Sequence, residues 1–230
     1  MRNNKIKFNV APEILDLNIN VASVLFEGIS NKQVDVAFDM YKQEVFEKFK
    51  SRYSNEFISK NNILDGFRKL HSSIGRSNRK FVSSTEYLLK TYIRRGYIPV
   101  KNLAVDIYNV ISLETLLSIG AHDVDKVEGD INFKMTDGSE KFLPLGSKKI
   151  KQVPRGEYCY IDNNSEIICR MECKQAEKTK IEEISRNCVF IVQGNEYTSR
   201  EFVIATLEKL IIMIKLYCQG DETILYKPIN

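Results

Sequence analysis

The chain has 230 residues, 43% hydrophobic and 28% charged, and a net charge of +4 at pH 7. This is the composition of a globular protein, without a low-complexity tract or a long-period repeat. The small positive charge permits an acidic partner such as RNA but does not require one. The first ten residues lack the apolar core of a signal peptide, and charged residues interrupt the most apolar run, 202–218. We therefore expect a cytoplasmic protein without a membrane span.

The first half of the sequence predicts two strands followed by helices. Strands are expected over 5–10 and 17–28, separated at Pro12, and helices over about 31–49 and 56–74, where apolar residues recur at helical spacing. The polar, basic segment 75–80 is predicted as a loop. Ser83 or Ser84 then caps another helix, which Gly96 ends.

The stretch 99–131 organises the chain. Its first half, about 102–117, predicts a helix that is apolar nearly all round and is therefore buried, with Gly120 ending it. Polar side chains interrupt this helix, three on one side and the fourth about a quarter turn away: Asn102, Asp106, Asn109 and Glu114. Because buried polar groups need hydrogen-bond partners, they either tie neighbouring backbone together or line a polar pocket.

After residue 129 the apolar period becomes two, which predicts strands. One hairpin is expected around Asp137-Gly138, joining 131–135 to a return strand that begins at Phe142. A second is expected around Asn163-Asn164, joining 158–161 to 167–171. A strand over 187–192 and an amphipathic helix over 198–217 complete the chain. This order predicts an α+β fold with an antiparallel or mixed sheet.

The cysteines are predicted to be free thiols, because their number is odd and no signal peptide precedes them. They are Cys159, Cys169, Cys173, Cys188 and Cys218. On a straight strand the sulfurs of Cys169 and Cys173 would lie about 13 Å apart, too far for one zinc ion. The histidines, His71 and His122, are distant in sequence. We therefore expect no metal and no cofactor.

The segment 102–131 resembles the tRNA-editing domain of the bacterial phenylalanyl-tRNA synthetase beta subunit. It matches that family's pattern without a gap at Asp106, Asn109, Glu114, Ala121, Asp123, Asp125, Glu128, Gly129 and Ile131. One position departs: Gly120 replaces the family's histidine, and His122 follows two residues later. The likeness covers roughly 78–216.

The resemblance implies a β-rich core, a partly open barrel-like sheet packed by helices. No aminoacylation domain is present, so we expect a stand-alone relative with a single domain over 1–230. N-terminal strands and helices would occupy 1–77, and the editing-like core 78–218.

The family's function implies hydrolysis of a mischarged aminoacyl-tRNA in trans. The alternative is a non-catalytic module that binds tRNA, aminoacyl-tRNA or an amino-acid-like ligand, and the missing pocket histidine favours it. In the family a glutamate contacts the phenolic hydroxyl of tyrosine, a place that Glu172 or Glu177 would take here. The expected substrate-binding residues are Asp106, Glu114, Gly120, Ala121, Arg170, Lys174 and Thr179.

Ester hydrolysis needs a positioned water and a group that stabilises the oxyanion. Asn109 and His122 are the expected catalytic residues, because His122 is the nearby side chain that can titrate near neutral pH. The basic segment after the predicted hairpin is the expected RNA contact, through Lys148, Lys149, Lys151 and Arg155. The lysines that follow Arg170, namely Lys174, Lys178 and Lys180, are also typical of a solvated loop.

Overall fold

A computed structural model describes residues 6–228. In this range the helices are α1 (Pro12–Leu15), α2 (Val36–Arg52), α3 (Asn55–Lys60), α4 (Asn62–Ser73), α5 (Ser84–Arg95), α6 (Leu103–Thr115) and α7 (Arg200–Cys218). The strands are β1 (Phe8–Val10), β2 (Val21–Glu27), β3 (Ser118–Asp123), β4 (Ile131–Met135), β5 (Lys141–Phe142), β6 (Lys151–Gln152), β7 (Tyr158–Ile161), β8 (Ile167–Arg170), β9 (Lys174–Gln175), β10 (Cys188–Gln193) and β11 (Asp221–Tyr226).

The strands form two large sheets and one small one. The first has the order β1-β4-β7-β8-β9, with β1 parallel to β4 and the other pairs antiparallel. The second has the order β11-β2-β10-β3 and is antiparallel throughout, and β5 pairs with β6. Over 6–228 no sheet closes into a barrel. The predicted α+β class with a mixed sheet packed by helices is confirmed.

Helix α6 is the central helix of the larger hydrophobic core. It contacts α2, α5, α7 and β3, and it buries Leu103, Ile107 and Ile111 completely or almost so. Asn102 caps the helix: its Oδ1 accepts a hydrogen bond from Val105 N, and its Nδ2 donates to the Ile181 carbonyl. This cap ties the start of α6 to the distant segment after β9.

The prediction that Gly120 ends α6 is wrong. The helix ends at Thr115, its C-cap residue Leu116 adopts a left-handed backbone with φ of 61°, and Gly120 lies within β3. A non-glycine residue in that region is uncommon because its Cβ crowds the backbone. Leu116 and Leu117 are both buried in the core, and this burial offsets the conformational cost.

Other boundaries also differ from the sequence pattern. The helix predicted over 56–74 is divided into α3 and α4 at Asn61, whose extended backbone lets its Oδ1 accept from Leu64 N. The strand predicted over 17–28 is the shorter β2, and Pro12 begins the short helix α1 instead of only separating strands. The edge strand β11 was not predicted. Lys5, the predicted start of the first strand, lies outside the described residues.

The hairpin predicted around Asp137-Gly138 is wrong, whereas the hairpin around Asn163-Asn164 is confirmed. Strand β4 pairs with β1 and β7, and the strand containing Phe142 pairs with β6. The buried Glu140 carboxylate accepts from the backbone N–H groups of Asp137 and Gly138, so it closes the turn locally and the chain leaves the sheet. Strands β7 and β8 pair antiparallel as expected.

No helix within residues 6–228 is long and apolar enough to cross a membrane.

Candidate functional site

A cavity of about 860 Å³ is lined by residues from both large sheets and from α5 and α6. Its size is within the range of pockets that hold small ligands. Apolar walls come from Val105, Ile181 and Ile191, and polar groups come from β3, α6 and the turn between β8 and β9. The cavity therefore offers both apolar contacts and hydrogen-bonding groups to a ligand.

Strand β3 presents Ser118, Gly120 and His122 to the cavity, because side chains alternate along a strand. Its pairing with β10 places Gly120 opposite Ile191. A Cβ atom built on Gly120 would meet no other atom within 4 Å, so the cavity is open beside this residue. Ala121 lies on the other face of β3, fully buried in the hydrophobic core, and does not line the cavity.

His122 is 2% exposed, and its Nδ1 lies 2.9 Å from Thr179 Oγ1. Burial lowers the pKa of the imidazole to about 3, since a charged ring would lose its hydration. The ring is therefore neutral at pH 7, and the expectation that it titrates near neutral pH is not met. Thr179 holds the orientation of His122 and does not itself line the cavity.

The floor of the cavity contains a buried carboxylate, Glu172. Its Oε1 lies 2.5 Å from His71 Nε2, and its Oε2 accepts a 2.6 Å hydrogen bond from the Tyr158 hydroxyl and a 3.4 Å one from Gln193 Nε2. Burial opposes the charge on Glu172, but His71 and the hydrogen bonds hold the pKa of this carboxyl below its usual value. Burial also opposes charging of His71, but Glu172 raises the pKa of the imidazole. Each side chain therefore favours the charged form of the other.

Cys173 completes the cluster on the floor. Its Sγ lies 3.4 Å from Glu172 Oε1 and 3.5 Å from His71 Nε2. Within residues 6–228, His71, Glu172 and Cys173 are the set whose ligand atoms could share a metal ion, all lying within 4.8 Å of one another. The premise of a straight strand over 169–173 is wrong, because β8 ends at Arg170 and Met171 has a φ of 51°. Both Cys169 and Cys173 are free thiols, as predicted.

Asn109 is the polar residue that α6 contributes to the cavity. Nothing in the described part of the chain forms a hydrogen bond with its side-chain amide, which is only partly buried. A ligand in the cavity would therefore find a free donor and a free acceptor at this point.

Asp106 and Glu114 do not line the cavity, although the sequence grouped them with Asn109. The Asp106 carboxylate lies 3.2 Å from Lys42 Nζ and accepts a 3.1 Å hydrogen bond from the backbone N–H of Lys101. Glu114 accepts hydrogen bonds from Tyr41 at 3.2 Å and from Lys209 at 2.7 Å. Both carboxylates join α6 to neighbouring parts of the chain. Of the two alternatives that the sequence allowed, they therefore tie structure together and do not line the pocket.

Of the two predicted basic binding residues, the structure brings Lys174 of β9 to the cavity but not Arg170, the last residue of β8. Arg170 forms a bidentate pair with the buried Glu157, at 2.5 and 2.7 Å. Lys174 lies at the rim with Nζ 4.8 Å from the centre of the Phe81 ring. Glu177 is also at the rim, where it accepts from Gly146 N at 2.7 Å, so the two glutamates left open by the sequence both reach the cavity.

Four lysines border the cavity: Lys80, Lys101, Lys174 and Lys180. Lys180 pairs with Glu177 at 2.6 Å. For the other three, the described residues provide no acidic partner, so the rim carries uncompensated positive charge.

The predicted RNA-contacting residues are exposed and lie on the segment that follows the cavity rim. They are Lys148, Lys149, Lys151 and Arg155. Leu145 and Gly146, directly before them, line the cavity, and Leu145 N donates a 2.8 Å hydrogen bond to the Gln175 carbonyl. The basic segment therefore begins at the cavity mouth.

Asp106→Ala should lower the melting temperature clearly. Asp106 is 6% exposed, and its removal leaves the Lys101 N–H without this acceptor and Lys42 without one of its two carboxylate partners. Loss of one partner in a buried polar network costs about 1–3 kcal/mol, and each kcal/mol shifts the midpoint by roughly 2–4 °C at this chain length. Thermal unfolding measures the change. Asp39→Ala removes the more exposed partner of Lys42 and is the control; an unchanged melting curve for Asp106→Ala would contradict the assignment.

Acidification should destabilise the wild type through His122. The folded pKa is about 3 and the ordinary value is 6.5, so between these values the unfolded chain binds one more proton than the folded chain. Stability therefore falls as pH falls through this window, by on the order of 3 kcal/mol at pH 4. Urea unfolding at pH 7 and pH 4 measures the loss, and His122→Asn should lack this component. Parallel pH dependences for the two proteins would contradict a buried neutral imidazole.

Comparison with known proteins identifies relatives of this chain. A model of the B3/4 domain matches residues 67–213. The phenylalanine–tRNA ligase beta subunit of Methanococcus aeolicus is 21% identical over 93% of this chain and 49% of its own length. That of Methanococcus maripaludis is 25% identical over 92% of this chain and 48% of its own. The chain thus spans about half the length of these relatives.

A solved structure is also similar. The crystal structure of an N-terminal fragment of the phenylalanyl-tRNA synthetase beta subunit from Pyrococcus horikoshii aligns with 96% of this chain and 51% of that chain. The TM-score is 0.49 and the sequence identity is 15%.

Proposed function

The chain belongs to the B3/4 domain family, and from this membership and its cavity we propose that it binds the aminoacylated 3′ end of a tRNA and hydrolyses mischarged aminoacyl-tRNA in trans. This is the reaction of the synthetase editing domain that the sequence resembles. The substrate is an ester between an amino acid and the terminal ribose. Its hydrolysis requires a water held against one face of the ester carbonyl carbon and a donor for the oxyanion.

The observation that carries this proposal is the cavity and its charged rim. A volume of about 860 Å³ accommodates an amino-acid side chain together with part of the terminal nucleoside. The lysines without acidic partners at the rim suit the phosphates that follow the terminal nucleoside. The open space beside Gly120 gives the aminoacyl group room that a larger residue would fill.

The proposed chemistry relies on positioning more than on a strong base. The aminoacyl ester is already activated, so placing a water correctly supplies much of the rate. We assign the Asn109 amide to orient this water or donate to the oxyanion, because its hydrogen-bonding groups are free. His122, neutral and oriented by Thr179, acts as a hydrogen-bonding group at the same wall.

A binding module without catalysis is the second candidate function. Two observations favour it: Gly120 supplies no side chain where the family's histidine stands, and burial makes His122 a weak base. The cavity and the lysine rim would then serve to hold an aminoacyl-tRNA or an amino-acid-like ligand without turnover.

A deacylation assay distinguishes the two functions. The purified protein is incubated with a panel of tRNAs charged with non-cognate amino acids, and the remaining ester is measured over time against buffer and against correctly charged tRNA. We expect release of at least one non-cognate amino acid. Saturable binding of the same tRNAs without release would reject the deacylase and keep the binding module.

Reversing the basic segment should weaken RNA binding and reduce its salt dependence. The triple change Lys148→Glu, Lys149→Glu and Lys151→Glu removes contacts that release counterions from phosphates. The slope of log K against log salt concentration should therefore become shallower by about 2–3. Gel shifts at several salt concentrations measure it.

The control for this variant reverses the same amount of charge away from the cavity. Lys48 and Lys50 of α2 and Lys60 of α3 are exposed and do not line the cavity, so their change to glutamate should leave RNA binding closer to that of wild type. If the two triple variants weaken RNA binding equally, the basic segment is not part of the RNA-binding interface.

A further inference from the structure

We propose that His71, Glu172 and Cys173 bind one zinc-class divalent cation at the floor of the cavity. The three residues supply a nitrogen, an oxygen and a sulfur, and these atoms converge on one point. The site is independent of the proposed hydrolysis, because it follows from side-chain geometry and can be measured without any tRNA. It also departs from the expectation of no metal, which rested on the spacing of Cys169 and Cys173 along a straight strand and on the distance of the histidines in sequence.

The distances between the ligand atoms are close to those of a tetrahedral site. With zinc bonds of about 2.3 Å to sulfur and 2.0–2.2 Å to nitrogen and oxygen, the sulfur should lie about 3.5 Å from each of the other two ligands. The Cys173 Sγ lies 3.5 Å from His71 Nε2 and 3.4 Å from Glu172 Oε1. Only the 2.5 Å contact between His71 and Glu172 must widen, by roughly 0.9 Å for tetrahedral angles. Coordination then replaces this hydrogen bond.

The chemistry of the ligands favours zinc over harder cations. A thiolate and an imidazole select zinc-class metals, whereas magnesium and calcium prefer oxygen ligands. One thiolate and one carboxylate neutralise a divalent charge, so the buried site would carry no net charge. On binding, the protons of Cys173 Sγ and His71 Nε2 are released to solvent.

The surroundings hold the carboxylate in place and leave a fourth position open. Tyr158 and Gln193 donate to Glu172 Oε2, which leaves Oε1 for the metal, as an outer shell does for metal-binding carboxylates. Glu172 and Cys173 also line the cavity, so the metal has an entry path from solvent and a free coordination position facing the ligand space. Three protein ligands and one open position are the arrangement of catalytic zinc sites.

The geometry favours coordination over a Cys–His–Glu nucleophilic triad. In a triad the carboxylate orients the imidazole through the nitrogen opposite to the one that faces the nucleophile. Here the Glu172 oxygen and the Cys173 sulfur both approach Nε2 of His71. His71 Nδ1 is buried and, within the described residues, has no hydrogen-bond partner. The three groups therefore share one centre instead of forming a relay.

Cobalt substitution tests the site directly. The protein is stripped with a chelator, dialysed, and titrated with Co²⁺ while the near-ultraviolet and visible absorption is recorded. We expect a thiolate-to-cobalt band that saturates at one ion per chain, disappears on addition of Zn²⁺, and is absent in Cys173→Ser. Loss of this ligand should weaken cobalt binding by roughly 100-fold or more, at least as much as loss of an outer-shell partner.

Cys169→Ser is the matched control, because Cys169 lines the same cavity but its thiol donates to the Met171 carbonyl. This variant should keep the band. Glu172→Gln preserves the size of the side chain and should weaken binding without removing the thiolate band, and circular dichroism shows that each variant is folded. The site is rejected if wild type gives no cobalt band, if Cys173→Ser keeps it, or if Cys169→Ser loses it equally.

Discussion

Gly120→Phe should reduce deacylation by at least about 100-fold, which corresponds to about 2.7 kcal/mol of lost transition-state stabilisation. The aromatic ring would occupy the space beside β3 where we place the aminoacyl group. The fold should persist, because a Cβ at this position meets no atom within 4 Å and the backbone does not have a positive φ. Initial rates with the best substrate of the panel measure the effect.

Gly120→Ala is the matched control for this prediction. A methyl group enters open space and leaves most of the cavity free, so the rate should stay within a few-fold of wild type. If Gly120→Phe is folded and fully active, the aminoacyl group does not lie beside Gly120, and the assignment of the cavity to this group is wrong.

Asn109→Ala should reduce the deacylation rate by about 100-fold while substrate binding changes little. Removal of a single donor to a developing oxyanion typically costs 10²–10³-fold in turnover. The free amide of Asn109 is the group at the cavity wall that fits this role. Single-turnover rates at saturating protein separate the chemical step from binding.

His122→Ala is the informative comparison for Asn109→Ala. Because the imidazole is neutral at pH 7, we expect a loss of about tenfold or less, smaller than general-base catalysis typically contributes. The pH profile of the wild-type rate should also have no break near pH 6.5 that depends on His122, so His122→Ala should not change the shape of the profile in this range. A 100-fold loss accompanied by such a break would mean that substrate binding restores an ordinary histidine pKa, and it would contradict the positioning role.

Among the predicted site residues, those that the structure brings together at one wall of the cavity are close in sequence. Asn109, Gly120 and His122 lie within one helix and the strand that follows it, so their proximity depends on short-range geometry. The family resemblance grouped these three residues, but strand β3, whose alternation brings Gly120 and His122 to the same wall, was not predicted, because Gly120 was expected to end the helix. The hairpin of β7 and β8 was predictable for the same reason, since its strands are joined by a short turn.

Sequence spacing could not show which neighbours each polar residue of α6 would meet. Asp106 and Asn109 are three positions apart and so about 60° apart around the helix. That angle is enough for Asp106 to contact Lys42 of α2 while Asn109 faces the cavity. The helix lacks the single apolar stripe of a surface helix, so the pattern does not show which side faces a cavity. Whether each polar residue ties neighbouring structure together or lines the pocket depends on packing partners far away in the sequence.

The cluster on the cavity floor was missed because its members come from distant segments. His71 belongs to α4 and Glu172 to the turn after β8, and no local motif connects them. The turn itself depends on Met171 in a left-handed conformation, which sequence propensity disfavours for a non-glycine residue. Only the tertiary fold brings these side chains together.

Equilibrium binding of a non-hydrolysable aminoacyl-adenosine, with an amide in place of the 3′ ester, tests whether the cavity receives the aminoacyl end of a tRNA. Calorimetric titration of wild type, Gly120→Ala and Gly120→Phe with an analogue carrying the best amino acid of the panel separates binding from turnover. We expect saturable 1:1 binding to wild type and Gly120→Ala, and at least about 100-fold weaker binding to folded Gly120→Phe. Absence of binding to wild type, or equal binding to Gly120→Phe, would contradict the claim that this cavity receives the aminoacyl end of a tRNA.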